Sequence, residues 1–309
     1  MAELSRPHVF TVDLEEYFQV EAFSDIVSRD QWDDFPSRVE PSARLLLDLL
    51  DEAGITGTFF VLGWVATKHT ALVREIADRG HELACHSFWH RLVYQLTPKE
   101  FEADTRLSKE VIEQAAGVVV RGYRAPSFSV TRRSLWAHDV LAECGLTYDA
   151  SIFPIHHDIY GIADAPRRPF RACRGRLIVC PMTTFRWFGQ HNWPVGGGGY
   201  LRLLPWTYTK MGIRKAELED IPVISYIHPW ELDPEQPRMR ARLRSKMRHY
   251  TNLHKTKERV RRLLALRRFS SFRDSQLLEG HGVDDAPSEG PWGVAEGSGT
   301  SGCHSSSSS

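Results

Sequence analysis

The chain has no charge imbalance: Lys+Arg and Asp+Glu are both 39 among 309 residues. The whole-chain balance therefore gives no electrostatic reason to expect nucleic acid, or an anionic membrane, as the main partner. Long apolar runs are missing too. The most apolar stretches, 45–50 and 58–66, fall far short of the roughly 20 residues a membrane-spanning helix needs. The opening MAELSRPHVFTVD lacks the charged, apolar and small-residue regions of a secretory signal. The expected location is cytoplasmic, with peripheral attachment to the inner membrane left open. The five cysteines, Cys85, Cys144, Cys173, Cys180 and Cys303, are scattered and lack CxxC spacing. That argues against a structural zinc site or disulfide framework and for free thiols. No GxSxG elbow is present to support a serine esterase, and no GxxxxGK[ST] or GxGxxG loop to cradle phosphate. His81-Glu82-Leu83-Ala84-Cys85-His86 has one residue too many for the helical zinc-protease HExxH motif.

What is present is ordinary globular composition, 42% hydrophobic and 25% charged, enough to bury one large α/β core. From Val9 to about Phe272, short apolar runs alternate with amphipathic stretches, as expected of β-then-α units around a largely parallel sheet. HVFTVDLEE and TGTFFVLG read as strands flanking a leucine-rich helix that stops at Gly54. Thr97 before PKEF reads as an N-cap with proline at the first helical position. VISYIHPWE reads as a late strand with a histidine at its polar end. Residues 1–273 are expected to form a single catalytic domain, with an Arg-rich amphipathic surface helix over 238–268. Residues 274–309, rich in Gly, Ser and Pro, are expected to be a disordered tail.

Chemistry-bearing residues gather where strands end, the edge on which parallel α/β sheets build their sites. His86 and His90 are four apart, and one helical turn would put both imidazoles on one cation. Alone, the spacing equally suits two hydrogen-bonded histidines beside packed Phe88 and Trp89. Asp13-Leu14-Glu15-Glu16 ends the first strand, with Asp13 and Glu15 on one strand face. One carboxylate can complete an N,N,O metal site while another deprotonates water. Glu15 is assigned to the metal and Asp13 to the base; exchange of the two roles, or a role for Glu16, remains open. His156-His157-Asp158 suits a substrate loop or surface better than a metal, since adjacent histidines rarely face one ion. Gly196 to Gly199 reads as a structural loop.

Five segments in this order, TVDLEEYFQV, HSFWH, RGYRAPSF, YDASIFP and SYIHPWELDPEQP, resemble the polysaccharide deacetylase family with its NodB homology domain, carbohydrate esterase family 4-like. The nearest branch in resemblance is that of deacetylases from bacterial exosortase and exopolysaccharide loci. The resemblance implies a distorted (β/α) barrel of about seven strands. It implies Asp13 as catalytic base, His86 and His90 as metal ligands, Arg124 with Pro126 as the RxP motif lining the site, and His228 as catalytic acid. VDLEE stands where the family usually has adjacent aspartates, which leaves the acidic ligand open.

On this reading the chain removes N-acetyl groups from an N-acetylhexosamine-containing polysaccharide or its lipid-linked precursor in exopolysaccharide biosynthesis. A divalent metal, zinc by default with cobalt or another transition metal also compatible, would activate carbonyl and water. Arg124 can pair with Asp13 or Asp149. Tyr123, Phe128, Trp193 and Trp230 can stack on sugar faces or pack in the core. Two alternatives stand beside it: a non-catalytic glycan-binding relative, and a small-amide C–N hydrolase of the same superfamily.

Overall fold

A computed structural model of the chain describes residues 6–157, 159–187, 189–285 and 292. The first strand, β1 (His8–Leu14), leads by way of α1 (Val39–Ala53) to β2 (Thr58–Val61), then α2 (Gly63–Lys68) and α3 (Thr70–Asp78) lead to β3 (Glu82–Cys85). The long α4 (Pro98–Ala116) precedes β4 (Gly122–Tyr123), and α5 (Ala137–Glu143) precedes β5 (Tyr148–Asp149). Then come β6 (Phe170–Ala172), β7 (Leu177–Val179), a β8 (Thr184–Arg186) and β9 (Asn192–Pro194) hairpin, α6 (Gly198–Leu203) and α7 (Trp206–Leu218). The last elements are β10 (Ile224–Ile227), α8 (Leu243–Tyr250), α9 (Leu253–Leu266) and β11 (Phe269–Ser270).

The main sheet runs β10-β1-β2-β3-β4-β5-β7-β6, with β11 beside the start of β1. From β10 to β7 every pairing is parallel, a run of seven strands in line with the barrel of about seven that the resemblance implied; β11 is also parallel to β1, and β6 adds one antiparallel edge. No ladder among the described residues joins β10 to β6, so the barrel is open.

The local grammar explains the elements. α4 opens on a capping box in which Glu100 N–H donates to Thr97 Oγ1 and Thr97 N–H donates to Glu100 Oε2, 2.8 Å apart, with Pro98 at the first position. It ends at Gly117 in the left-handed region. The Arg-rich stretch is two helices, because Asn252 at φ 60° interrupts it between α8 and α9.

Strand alternation sorts the sheet residues into two cores. Phe10, Val12, Leu14, Phe59, Val61, Leu83 and Cys85 face the helices, whereas Val9, Phe60, Ala84, Tyr148 and Ile224 fill the barrel. The lower end of the barrel is closed by the chain after β11. There Phe272 N–H donates to Thr58 Oγ1 (2.8 Å), and Arg273 N–H to Glu82 Oε2 (2.9 Å). Tyr148 O–H donates to the other oxygen of the buried Glu82 (2.9 Å).

Order continues past residue 273, contrary to the composition-based boundary. Leu277 is fully buried, Arg171 N–H donates to Asp284 C=O, and Asp284 N–H to Pro169 C=O. Trp292 packs edge-on against Phe170. The remainder of the expected tail, 286–291 and 293–309, lies outside the described residues, as does Cys303.

At Gly122 a Cβ would sit 2.0 Å from the fully buried Tyr148 ring. Gly122→Ala should therefore cost about 3 kcal/mol by overpacking, against about 1 kcal/mol for Thr97→Ala, which removes only the cap. Urea unfolding midpoints of the two variants check the order.

Candidate active site

The site sits beyond the carboxyl ends of β1, β3, β4 and β10, in a cavity of about 420 Å³ lined in part by Asp13, Glu15, His86, His90, His228 and Trp230. That volume falls within the ~300–1,000 Å³ of small-molecule sites.

Asp13, on the lumen face of β1, is one side of a buried ion pair. Arg124, fully buried, places Nη1 2.7 Å from Asp13 Oδ1 and 2.7 Å from Thr11 Oγ1, while its Nε donates to Ala150 C=O at 3.3 Å. The guanidinium lies 4.1 Å from the Phe60 ring centroid. Arg124 thus chooses Asp13. The other candidate, Asp149, accepts instead from Ser151 Oγ and N–H and lies 3.2 Å from His138 Nε2.

Glu15, His86 and His90 form a buried group whose ligand atoms lie within 4.8 Å of one another. Their convergence is not helical. After β3 the chain makes a turn with Ser87 at φ 67° and His90 at φ 50°, pinned from α4 by Asp104 Oδ2, which accepts from Phe88 N–H (2.8 Å), and by Ser108, which donates to Ser87 C=O (2.9 Å). His86 Nδ1 donates to Arg124 C=O at 2.8 Å, which leaves the Nε2 lone pair facing Glu15. Burial holds the His86 imidazole down to about 4, so it is neutral at pH 7.

Glu15 Oε2 lies 2.8 Å from His90 Nε2 and 3.8 Å from His86 Nε2, with no other polar partner among the described residues. A fully buried carboxylate oxygen left this way beside two imidazole nitrogens fits a cation ligand set of two nitrogens and one oxygen. Burial alone would raise the Glu15 carboxyl, but the neighbouring His90, His228 and His86 bring it down to about 2. Trp230 Nε1–H holds the other oxygen, Oε1, at 3.1 Å. Glu16 turns away from the site. It accepts from Ser37 and from the Arg38 and Val39 N–H groups at the start of α1, contacts that only partly offset the upward push of burial on its carboxyl.

His228 completes the constellation from β10, its Nε2 3.8 Å from both Asp13 Oδ2 and Glu15 Oε1. Burial would lower its pKa; the hydrogen bond from Nδ1 to Glu231 (2.7 Å) and the charges of Glu15, Glu231 and Asp13 overcome this and lift it to about 9. Glu231 is held in turn by the fully buried Arg202, whose Nε donates to Oε2.

Of the expected substrate contacts, Phe128 and Trp230 line the cavity, and Tyr123, Pro126 and Asp149 do not. Tyr123 packs edge-on against Phe101 under α4, because it follows Gly122 onto the helix face of a two-residue strand. Asp149 occupies the same face one strand over and supports the 125–126 turn through Ser151, whose Oγ accepts from Ala125 N–H (2.8 Å). Pro126 starts a buried turn that presents Ser127 and Phe128 to the cavity without lining it itself. Trp230 lines it and stacks with His228 at 5.0 Å and with His249 at 4.1 Å. Its indole N–H donates to Glu15 Oε1. Trp193 stands 43% exposed on the β8–β9 hairpin, lining a separate depression with His156. His157 stacks on Tyr160 at 3.9 Å in the cavity wall, and Asp158 lies outside the described residues. Gly197 and Gly198 lie under the Tyr226 ring, a close approach that a Cβ would block.

Glu231, Arg202, His249 and Tyr200 were not singled out from sequence. Glu231 carries a signal, three residues after His228 across Pro229, the spacing of one short turn. Arg202 carries none.

Residues 31–148 match the family model of polysaccharide deacetylases, and residues 150–276 match that of a domain of unknown function, DUF3473. The chain therefore carries a polysaccharide deacetylase domain, as the resemblance implied. It is 32% identical over 114 residues to a chitooligosaccharide deacetylase of Rhizobium leguminosarum bv. trifolii, a stretch covering 37% of this chain and 49% of the relative. It is 30% identical over 116 residues to chitin deacetylase 1 of Cryptococcus neoformans var. grubii, covering 38% of this chain and 23% of that protein. The matches thus span less than half the length of these curated relatives. A Mycobacterium smegmatis crystal structure assigned to the polysaccharide deacetylases superposes with a TM-score of 0.58 at 18% identity, covering 94% of this chain and 98% of the other. That likeness shows the (β/α) barrel fold. His86, His90 and Arg124 lie within the deacetylase match, Asp13 and Glu15 before it, and Arg202, His228 and Glu231 in the other.

Removing Arg124 strands Asp13 as a buried carboxylate without its counter-ion. Arg124→Met should destabilise by roughly 3–5 kcal/mol, and Asp13→Asn in that background should recover part of the loss. Denaturant unfolding of the single and double variants measures the coupling; strict additivity would refute it.

Proposed function

We propose that this chain, carrying a polysaccharide deacetylase domain, is a metal-dependent N-deacetylase. Its substrate would be an N-acetylhexosamine-containing glycan or a lipid-linked precursor in exopolysaccharide assembly. The observation that carries the reading is the meeting, in one cavity, of a buried Glu15-His86-His90 group, the Asp13 Oδ2 oxygen and the His228 imidazole. Similarity to relatives named as chitooligosaccharide and chitin deacetylases supports an acetylated aminosugar as the substrate.

A divalent cation held by Glu15, His86 and His90, zinc by default, would supply Lewis acidity toward the acetamide carbonyl and make water more acidic. Asp13 is the base: Arg124 occupies Oδ1, so Oδ2 is the oxygen that accepts the water proton. His228 is the acid. Glu231 fixes Nδ1, so the Nε2 proton faces the cavity and passes to the departing sugar amine. One water is consumed, and acetate and a free amine leave. Trp230 keeps Glu15 Oε1 engaged, and Arg202 keeps Glu231 in place. Site residues run from Asp13 to His249, so the catalytic unit is taken as a single domain.

Purified protein should release acetate from N-acetylglucosamine oligomers and contain one equivalent of metal. His86→Ala and His90→Ala should abolish both. His228→Ala should keep the metal and lose on the order of 10²–10⁴ in kcat. Acetate release that survives chelation and His90→Ala would sink the metal-dependent mechanism. Full metal occupancy with no turnover on any acetylated glycan would favour the binding-only alternative.

Trp230→Phe removes the indole donor on Glu15 and keeps the ring. It should weaken metal affinity by about 10- to 100-fold, read by competition with a chromogenic chelator.

A further inference from the structure

The neutral whole-chain charge conceals a segregation. Residues 238–268 carry thirteen Lys or Arg and a single acid, Glu258. Within this stretch α8 is oriented by its inner side: His249 is buried against Trp230, and the Arg248 and His249 carbonyls accept from Arg202. At 3.6 residues per turn, the side opposite His249 presents Leu243, Met247 and Arg244, with Arg248 on one flank and Lys246 on the other.

Leu243 is 73% exposed and Met247 60%. No described carboxylate forms an ion pair with Arg240, Arg244, Lys246 or Arg248, whereas Arg242 reaches Asp25 at 3.4 Å. Arg248 also lines the active-site cavity, and so does Leu203, 43% exposed on α6. The basic and aliphatic surface is thus continuous with the cavity wall.

We propose that α8 docks the chain on an anionic bilayer surface, with its leucine and methionine entering the headgroup boundary and its cations meeting lipid phosphates. Exposed aliphatic side chains beside unpaired cations match such an interface on both counts. A nucleic acid would satisfy the cations and leave Leu243 and Met247 without partners. Because Arg248 belongs to both features, docking brings the cavity close to the headgroups, where the sugar of a lipid-linked substrate is presented. That last consequence rests on the deacetylase reading; the docking itself does not.

Co-sedimentation with phosphatidylcholine vesicles, with and without phosphatidylglycerol, tests it. Binding is expected only with phosphatidylglycerol and should be lost at about 1 M salt, where the screening length falls to about 3 Å. Arg244→Glu/Lys246→Glu should weaken partitioning by at least about tenfold, and Leu243→Ser/Met247→Ser by about tenfold. These positions are exposed, so unchanged circular dichroism and unchanged acetate release from a soluble oligomer are expected of both variants. Failure to sediment, equal binding to neutral vesicles, or full binding by either variant overturns the docking. So does stronger binding to duplex DNA that ignores the Leu243 and Met247 changes. Vesicle binding without acetate release would leave the docking standing and remove the deacetylase reading.

Discussion

The Arg124–Asp13 ion pair is the contact through which the rest of the site is assembled. Its guanidinium is fully enclosed in the upper barrel, spanning Thr11 and Asp13 on one strand and the Ala150 carbonyl beyond another. A charge so buried is tolerable only when paired and hydrogen-bonded. The same residue's carbonyl receives His86 Nδ1–H. A single position therefore fixes which Asp13 oxygen faces the cavity and which imidazole nitrogen of His86 faces Glu15, so these two side chains cannot shift independently.

The His228 side of the cavity is built by the other half of the chain. His228 is held by Glu231, Glu231 by Arg202, and Trp230 is clamped between His228 and His249 while its N–H reaches Glu15. These residues fall in the region matching a domain of unknown function. That region places the His228 imidazole opposite Asp13 and Glu15, carboxylates of the first half. It also supplies α6 and α8, which wall the cavity and carry the basic, aliphatic surface.

Alternation of side chains across short strands decides which residues reach the chemistry. Val9, Thr11 and Asp13 share the lumen face of β1, and Gly122 and Arg124 straddle Tyr123. The closed lower end, with Glu82 bound by Tyr148, Thr58 and the backbone after β11, leaves the strand carboxyl ends as the open side. Polar residues at that open end are left to function while those at the closed end are spent on hydrogen bonds within the fold.

The sequence by itself determined the alternation of strands and helices around a largely parallel sheet, the end of α1 at Gly54, the cap of α4, and the placing of polar residues such as Asp13, Glu15, His86 and His228 at strand ends, while the barrel of about seven strands came from the family resemblance. The local features follow from periodicity and capping chemistry, which act over a few residues. Tertiary structure alone decided that HSFWH is a turn bearing two left-handed residues and pinned by Asp104, since four-residue spacing is shared by helices and tight turns. It decided that Tyr123 and Asp149 face the helices, because a two-residue strand has too little pattern to reveal its phase. It also brought Arg202 to Glu231 and α8 to the cavity mouth, since pairings between residues 29 or more positions apart are set by the path of the intervening chain and leave no periodic trace.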